Sequence, residues 1–387
     1  MDFRKTLATC LAVAALTLSV SVVAAQDATP EATPVPGSGL VTGPMSGEAQ
    51  ALTGAGATFP QPLYTTWFAD YATLTGVQIN YQGIGSGGGI KGITNQTVDF
   101  GASDAPMNDD QMAAAKATCG ADILHIPMTL GGVAFTYNIP ELVSSNTPVK
   151  LTAETLSGIF LGDINTWNDP KLVADNPGLT DVAQPISLIH RSDSSGTSNI
   201  VTTYLAAVND TWKTNVGAGT AVKWPTGIGQ KGSAGIAGAI AGVPYAIGYV
   251  ELAYAQQNNL PIAELQNKAG NFVAPSAESV AAAAAGVTLP ADLRIMIVNG
   301  DGDNTYPVSG FTWILVCPNQ TDAAKATALT RVLWWATHDG QSYTADGTLG
   351  YAPLPEVAIK ADEGQIEKIM INGAPALPAD IMSAAGS

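Results

Sequence analysis

The sequence predicts an α/β protein of two domains, each built on a mostly parallel sheet flanked by helices. Three observations lead there. Strand-like and helix-like runs alternate along the chain, and no internal repeat interrupts them. From about Ala51 onward apolar residues recur steadily, leaving roughly 335 residues to fold, more than one core usually organises.

The first 25 residues join a charged start, "MDFRK", to the apolar run "LATCLAVAALTLSVSVV" and the small residues Val23-Ala24-Ala25. This is the pattern of a signal peptide over 1–25, so the protein is expected to be exported, to the periplasm or the extracellular face of the cell membrane. Cys10 lies near the start of the apolar run, where a lipid-modified cysteine does not belong. Residues 26–47 are rich in Pro, Thr, Gly and Ser and bury too little apolar surface to fold, which reads as a disordered linker.

Next, "PQPLYTTWFADYATLTG" places Leu63, Trp67, Tyr71 and Leu74 on one helical face, with Gly76 as its stop. "VQINY" is a strand, followed by a glycine loop, a short helix over "IKGITNQ" and the strand "VDFGAS". "DILHIPMTLGGVAFTYNI" reads as a pair of extended segments. "AETLSGIF" and "SNIVTTYLAAV" are helical, the latter turning Ile200, Val201, Tyr204, Leu205 and Val208 to a core, and the strand "ISLIHR" leads into it. "ESVAAAAAG" is helical, "GFTWILVC" is a strand, and "DAAKATALTRVLWWATHDG" is a terminal helix whose Trp334 and Trp335 serve packing.

Charge excludes one class of partner. The chain has 16 basic and 32 acidic residues, a net charge of −16, and losing Arg4, Lys5 and Asp2 with the signal peptide makes it −17. Nucleic-acid binding needs a basic face that releases counterions, so no such partner is expected. An anionic ligand would be repelled at long range and must be held by local groups. Cys119 and Cys317 remain after processing, and an oxidising compartment allows a bond between them. Neither they nor His125, His190 and His338 show metal-ligand spacing. "DGDN" at 301–304 lacks the remaining ligands of a calcium loop and reads as a surface turn. No metal or cofactor is expected.

Three stretches share one design, a Gly/Ser/Thr loop immediately before a helix: "TGAGATFPQP", "GIGSGGG" and "RSDSSGTSN". Helix starts carry unpaired N–H groups and about half a positive charge, so each is a candidate anion clamp. Taken singly, each is equally an ordinary helix cap. Arg191 adds a full charge and planar donors suited to an oxyanion, and Asp193 stands where it can orient that guanidinium. Asp104 is the odd group, since a carboxylate repels any anion that has no proton to donate. Gly83, Gly85 and Gly88 also satisfy a dinucleotide fingerprint, with Asp104 where a ribose-binding acid would stand. That reading leaves Thr58 and the Arg191 loop without a role.

Six segments, "LTGAGATFPQPLY", "NYQGIGSGGGIKGI", "VDFGASDAP", "RSDSSGTS", "VKWPTGIGQKG" and "AIGYVELAYA", together resemble the substrate-binding component of phosphate-specific ABC transporters, in family order from about Leu52 to Pro355. The resemblance implies a type II periplasmic-binding-protein fold, two hinged lobes over 48–138 with 308–387 and over 139–307. It implies that inorganic phosphate is held by Thr58 and the backbone of Phe59, by Ser86, and by Ser195, Gly196 and Thr197. Arg191 would pair with the anion, Asp104 would accept its proton, and Asp193 would stand behind Arg191. His190, Ser192 and Ser194 depart from the family's usual residues without removing a contact position. The implied partners are the membrane permease subunits of an ABC importer, and the implied unit is a monomer. An oxyanion such as sulfate, molybdate or arsenate is the alternative ligand. A phosphatase using Ser86 or Ser195 finds no histidine in a triad context.

Overall fold

One long strand organises the chain in this computed structural model, which describes residues 39–142, 147–345 and 347–385. The expected signal peptide and residues 26–38 of the expected linker lie outside these residues. Nine strands form the main sheet: β1 (Ala51–Gly56), β2 (Gln78–Gly83), β3 (Phe100–Ser103), β4 (Leu124–Asn138), β5 (Ser187–Arg191), β6 (Ile228–Gln230), β7 (Ala246–Glu251), β8 (Ser309–Val316) and β9 (Tyr351–Ala352). Their spatial order is β2-β1-β3-β8-β4-β7-β5-β6, with β9 paired to β4.

The fold is α/β and two-lobed, and its sheet is mixed. β1 runs parallel to β2 and β3, and β5 runs parallel to β6 and β7, as helical crossovers require. Between these parallel ends, β8 is antiparallel to β3 and β4, and β4 is antiparallel to β7. The expected pair of extended segments is therefore a single strand serving both lobes. Residues 124–132 of β4 pair with β8, and from Val133 to Asn138 the partner is β7. The change falls inside the segment expected for the first lobe. Close approach explains the glycines there: a Cβ on Gly131 would lie 2.5 Å from the Phe59 ring, and one on Gly132 would lie 2.9 Å from Val280. Residues ahead of the expected boundary at 308 pack on residues expected for the first lobe. Val280, Ala283 and Ile297 share a core with Met107, Phe311 and Trp313, and Trp313 donates its indole N–H to the Leu293 carbonyl at 3.0 Å.

Four helices carry the loops singled out above or resemble them: α1 (Gln61–Thr75), α2 (Ser86–Thr94), α3 (Gly196–Val208) and α4 (Gly232–Gly242). α1 buries Leu63, Tyr64, Trp67, Phe68, Tyr71 and Thr75, while Leu74, expected on that face, is 37% exposed. A stripe advancing by four residues from Leu63 arrives at Thr75, one position past Leu74. Gly76 ends the helix in the left-handed region, φ 81°, donating to Ala72. Trp67 packs edge-on against Trp335 and donates to the Gly340 carbonyl at 2.8 Å. Truncating it to alanine would remove about 3–5 kcal/mol. Ile200, Val201, Tyr204 and Leu205 of α3 are buried as expected, with Val208 half-buried beside them. Trp334 and Trp335 are packing residues, but their helix, Ala323–Thr337, is not terminal: helices Glu356–Ile366 and Ala379–Ala385 follow.

Part of the expected linker is packed. Val41 is buried, Arg331 donates to the Gly43 carbonyl at 2.6 Å, and Glu48 makes a buried ion pair with Arg331. Residues 301–304 are exposed, as expected for a surface turn. Among the described residues no helix is long and apolar enough to cross a membrane.

Cys119, which closes helix Asp109–Cys119, is bonded to Cys317 just past β8, with Cα atoms 5.4 Å apart and a sequence separation of 198. Both ends lie on the first lobe. By the chain-entropy account, closing so long a loop stabilises the fold by about 5 kcal/mol. Removing the bond with a Cys119→Ala, Cys317→Ala pair should lower the guanidinium midpoint accordingly, and an unchanged midpoint would show that the bond does not constrain the unfolded chain.

Candidate functional site

The local sequence brings four helix starts together where the lobes meet. α1 follows Thr58-Phe59-Pro60, and its first turn has no side-chain cap; Pro62 in that turn gives up no needed donor. α2 follows Gly85, again without a side-chain cap. Gly85 is required there: its φ is 89°, and a Cβ would stand 2.5 Å from Asp193 Oδ2. α3 follows Ser195, whose Oγ accepts from the Ser198 amide at 3.1 Å, the ordinary capping role, while its own hydrogen remains available to donate. α4 follows Lys231 and has no side-chain cap.

Side chains at these starts bond to one another across the lobes. Thr58 Oγ1 lies 2.9 Å from Ser233 Oγ, and Tyr254 donates to the Thr58 carbonyl at 2.7 Å. The Gly196 amide donates to Ser86 Oγ at 3.0 Å, and the Gly87 amide donates to the Ser194 carbonyl at 3.1 Å. A Cβ on Gly196 would lie 2.5 Å from Ser86 Oγ and 2.6 Å from Asp104 Cβ, so only glycine permits this approach. Phe59 supports the arrangement from behind, its carbonyl accepting from Tyr351 OH at 2.7 Å.

Arg191, at the end of β5, is 3% exposed. Its Nε donates to Asp193 Oδ1 at 2.7 Å and its Nη2 to Asp193 Oδ2 at 2.5 Å, a two-point pair that fixes the guanidinium plane. The remaining Nη1 faces Ser233 Oγ at 3.4 Å. Burial pushes the Asp193 carboxyl up, but the bonds from Arg191 and from the Gly232 amide outweigh it and hold the group below the ordinary carboxylate range.

Asp104, just past β3, is 1% exposed. Its Oδ1 accepts from Thr312 Oγ1 at 2.9 Å, its Oδ2 faces Ser86 Oγ at 3.3 Å, and its amide donates to Ser86 Oγ at 3.1 Å. Burial pushes its carboxyl up to about 7, against the opposing influence of the Thr312 bond, the Arg191 charge and Ser86. Thr197 Oγ1 is buried and has no hydrogen-bond partner among the described residues.

Every residue singled out from the sequence, Thr58, Phe59, Ser86, Asp104, Arg191, Asp193, Ser195, Gly196 and Thr197, therefore falls in one cluster. Sequence reasoning missed three contributors. Ser233 opens α4 within "GQKGSAG", the same glycine–serine signal before a helix. Thr312 lies mid-strand in β8 and Tyr254 within helix Leu252–Gln257, where no local pattern separates a polar site residue from a satisfied core one. A cavity of about 250 Å³ at the cleft rim is lined by Thr58, Gln61, Asp193, Lys231, Ser233 and Tyr254. The larger hollow between α1 and β2, about 580 Å³, has no charged residue in its lining and offers nothing to balance an ion.

Known proteins share this architecture. A family model described as a PBP superfamily domain matches residues 28–338. The phosphate-binding protein PstS of Pasteurella multocida is 42% identical over 323 residues, covering 83% of this chain and 91% of that protein. The chain belongs to the PstS family of phosphate-binding proteins. The solved structure of an ancestral soluble variant of the human phosphate binding protein matches with a TM-score of 0.68 at 21% identity, over 84% of this chain and 99% of that one. A high-affinity periplasmic phosphate-binding protein, PfluDING, solved with bound phosphate, matches with a TM-score of 0.65 at 23% identity, over 81% and 93%. These two likenesses place the PstS-family chain in the two-lobed fold.

The raised Asp104 carboxyl has a thermodynamic consequence. The folded state holds its proton between the ordinary value of 3.8 and about 7, where the unfolded chain has lost it. The group therefore contributes stability below pH 4 that is lost as pH rises to about 7, on the order of 4 kcal/mol in all. For ligand-free protein, unfolding free energy should fall more steeply across this window in the wild type than in Asp104→Asn, and parallel curves would contradict the assignment.

Proposed function

We propose that this protein captures inorganic phosphate between its lobes, outside the cytoplasm, and delivers it as a monomer to the permease of an ABC-type importer. One observation carries the reading: a buried arginine and a buried, proton-accepting aspartate share a closed cleft at four converging helix starts. The names of the PstS relatives and the phosphate in the PfluDING structure support it. The amides at the helix starts, the hydroxyls of Thr58, Ser86, Ser195 and Thr197, and Arg191 Nη1 supply donors to phosphate oxygens. Phosphate near neutral pH retains at least one hydrogen, and Asp104 receives it. Lobe I comprises about 48–138 and 308–387 with the 277–297 segment packed on it, lobe II the remainder, and β4 is the hinge strand.

Binding rather than turnover is the reading the histidines favour. His190 Nδ1 lies 2.9 Å from the Arg191 carbonyl, His125 Nε2 accepts from the Met107 amide at 3.0 Å, and His338 stacks on Trp334. Each is engaged away from Ser86 and Ser195, leaving neither serine a base.

Selectivity follows from the proton. Fully ionised sulfate sets a bare oxygen against Asp104 in a buried site, a mismatch on the order of several kcal/mol. Calorimetry of refolded, ligand-free protein should show phosphate bound, arsenate bound comparably or more weakly, and sulfate bound far more weakly. Tight sulfate binding without phosphate binding would replace this reading with the other-oxyanion one. Arg191→Ala should cost phosphate binding about 2 kcal/mol or more, and Asp104→Asn should narrow the gap between phosphate and sulfate. An unchanged gap would remove Asp104 as the discriminator.

A further inference from the structure

We propose that Thr312 is the residue that sets oxyanion specificity, by donating its hydroxyl to one oxygen of Asp104 and reserving the other for a hydrogen carried by the ligand. The proposal rests on the phosphate reading above. Its geometry is direct. Thr312 lies in β8, fully buried, and its Oγ1 is 2.9 Å from Asp104 Oδ1. Across the carboxyl, Asp104 Oδ2 faces Ser86 Oγ at 3.3 Å, longer than an ordinary O–H···O bond. Ser86 Oγ already accepts from the Asp104 and Gly196 amides, so its hydrogen can turn to a ligand oxygen and leave Oδ2 to accept.

A hydroxyl that donates to a carboxylate favours the ionised form, which accepts at both oxygens and has no hydrogen of its own to donate. Without that donor, burial is opposed by less and Asp104 keeps its own proton to higher pH than in the wild type. It would then donate to the anion, and a site that donates at every point accepts a fully ionised oxyanion as readily as a protonated one. Thr312 thus decides whether the aspartate tests the ligand for a hydrogen or supplies one.

The other ionisable groups facing Asp104 do not perform this switch. Arg191 is the cation, already paired with Asp193. Tyr64, Tyr81, Tyr254 and Tyr351 are pushed up from the ordinary phenol value, chiefly by burial, and stay neutral through the working range. Glu251, at the end of β7, is buried and pushed well above the carboxylate range. It is present in every variant and so cancels from their comparison.

The test is calorimetry of phosphate and sulfate at pH 7 and pH 9 with refolded wild type, Thr312→Val and Thr312→Ser, melting curves confirming that each is folded. Wild type should prefer phosphate at both pH values. Thr312→Val, nearly equal in volume, should lose at least tenfold of that preference at pH 7 through gained sulfate binding, and recover it at pH 9 as Asp104 ionises. Thr312→Ser, which keeps the donor, should behave as wild type. If Thr312→Val weakens both anions equally at both pH values, or changes neither, the proposal is overturned while phosphate binding stands. If Thr312→Val fails to fold, Thr312→Ser with wild-type selectivity supports the donor role and Thr312→Ser with lost selectivity refutes it. If wild type binds no phosphate, the underlying reading fails first.

Discussion

A buried guanidinium already neutralised by its own carboxylate sets the terms of this cleft. Arg191 gives two of its donor directions to Asp193, so the pair is close to neutral and the protein can close around it without stranding a charge. An ionised Asp104 would then leave the cleft formally negative. Beside the hydroxyls and the one guanidinium nitrogen outside that pair, what attracts an anion is the backbone. Four helix starts, each worth roughly half a positive charge, meet around Thr58, Ser86, Gly196 and Ser233 and together offer about the charge of a phosphate dianion. This local supply is needed because the chain as a whole carries −16. At physiological salt, surface charges more than about 8 Å away are screened, whereas dipoles inside a closed cleft are not.

The sheet makes that convergence possible. Parallel β1–β3 carry the starts of α1 and α2, parallel β5–β7 carry those of α3 and α4, and β4 is one continuous strand that pairs with both halves. Small residues do the fine fitting. Gly85 and Gly196 bring backbone against Asp193 and Ser86, and Gly131 lets the Phe59 ring seat beneath the first helix start. Bonds such as Thr58 to Ser233 and Gly196 to Ser86 join the helix starts of the two halves of the sheet directly.

Much of this is legible in the sequence because helix starts announce themselves locally. Glycine, serine and threonine before an apolar helical stripe identify Thr58, Ser86 and Ser195 to Thr197, and Arg191 stands out as the basic residue among them. Burial and partner choice are not local. Thr312 sits in an apolar strand, and only the antiparallel pairing of β8 with β3 brings it to Asp104. The change of partner along β4 is equally hidden, because it comes without a break in the strand, and so is the packing of Val280, Ala283 and Ile297 against Phe311 and Trp313. Leu74 shows the limit of a helical wheel: position relative to the neighbouring wall, rather than hydrophobicity, decides that Thr75 is inside and Leu74 outside.

The measurement that bears most directly on this account is an atomic-resolution crystal structure of the refolded protein grown with orthophosphate. The account predicts a tetrahedral ion among Thr58, Ser86, Arg191 and Thr197, with one of its oxygens about 2.5–2.7 Å from an Asp104 oxygen, the separation of a charge-assisted O–H···O bond. Water in that place, or an ion whose oxygens all stand clear of Asp104, would contradict it.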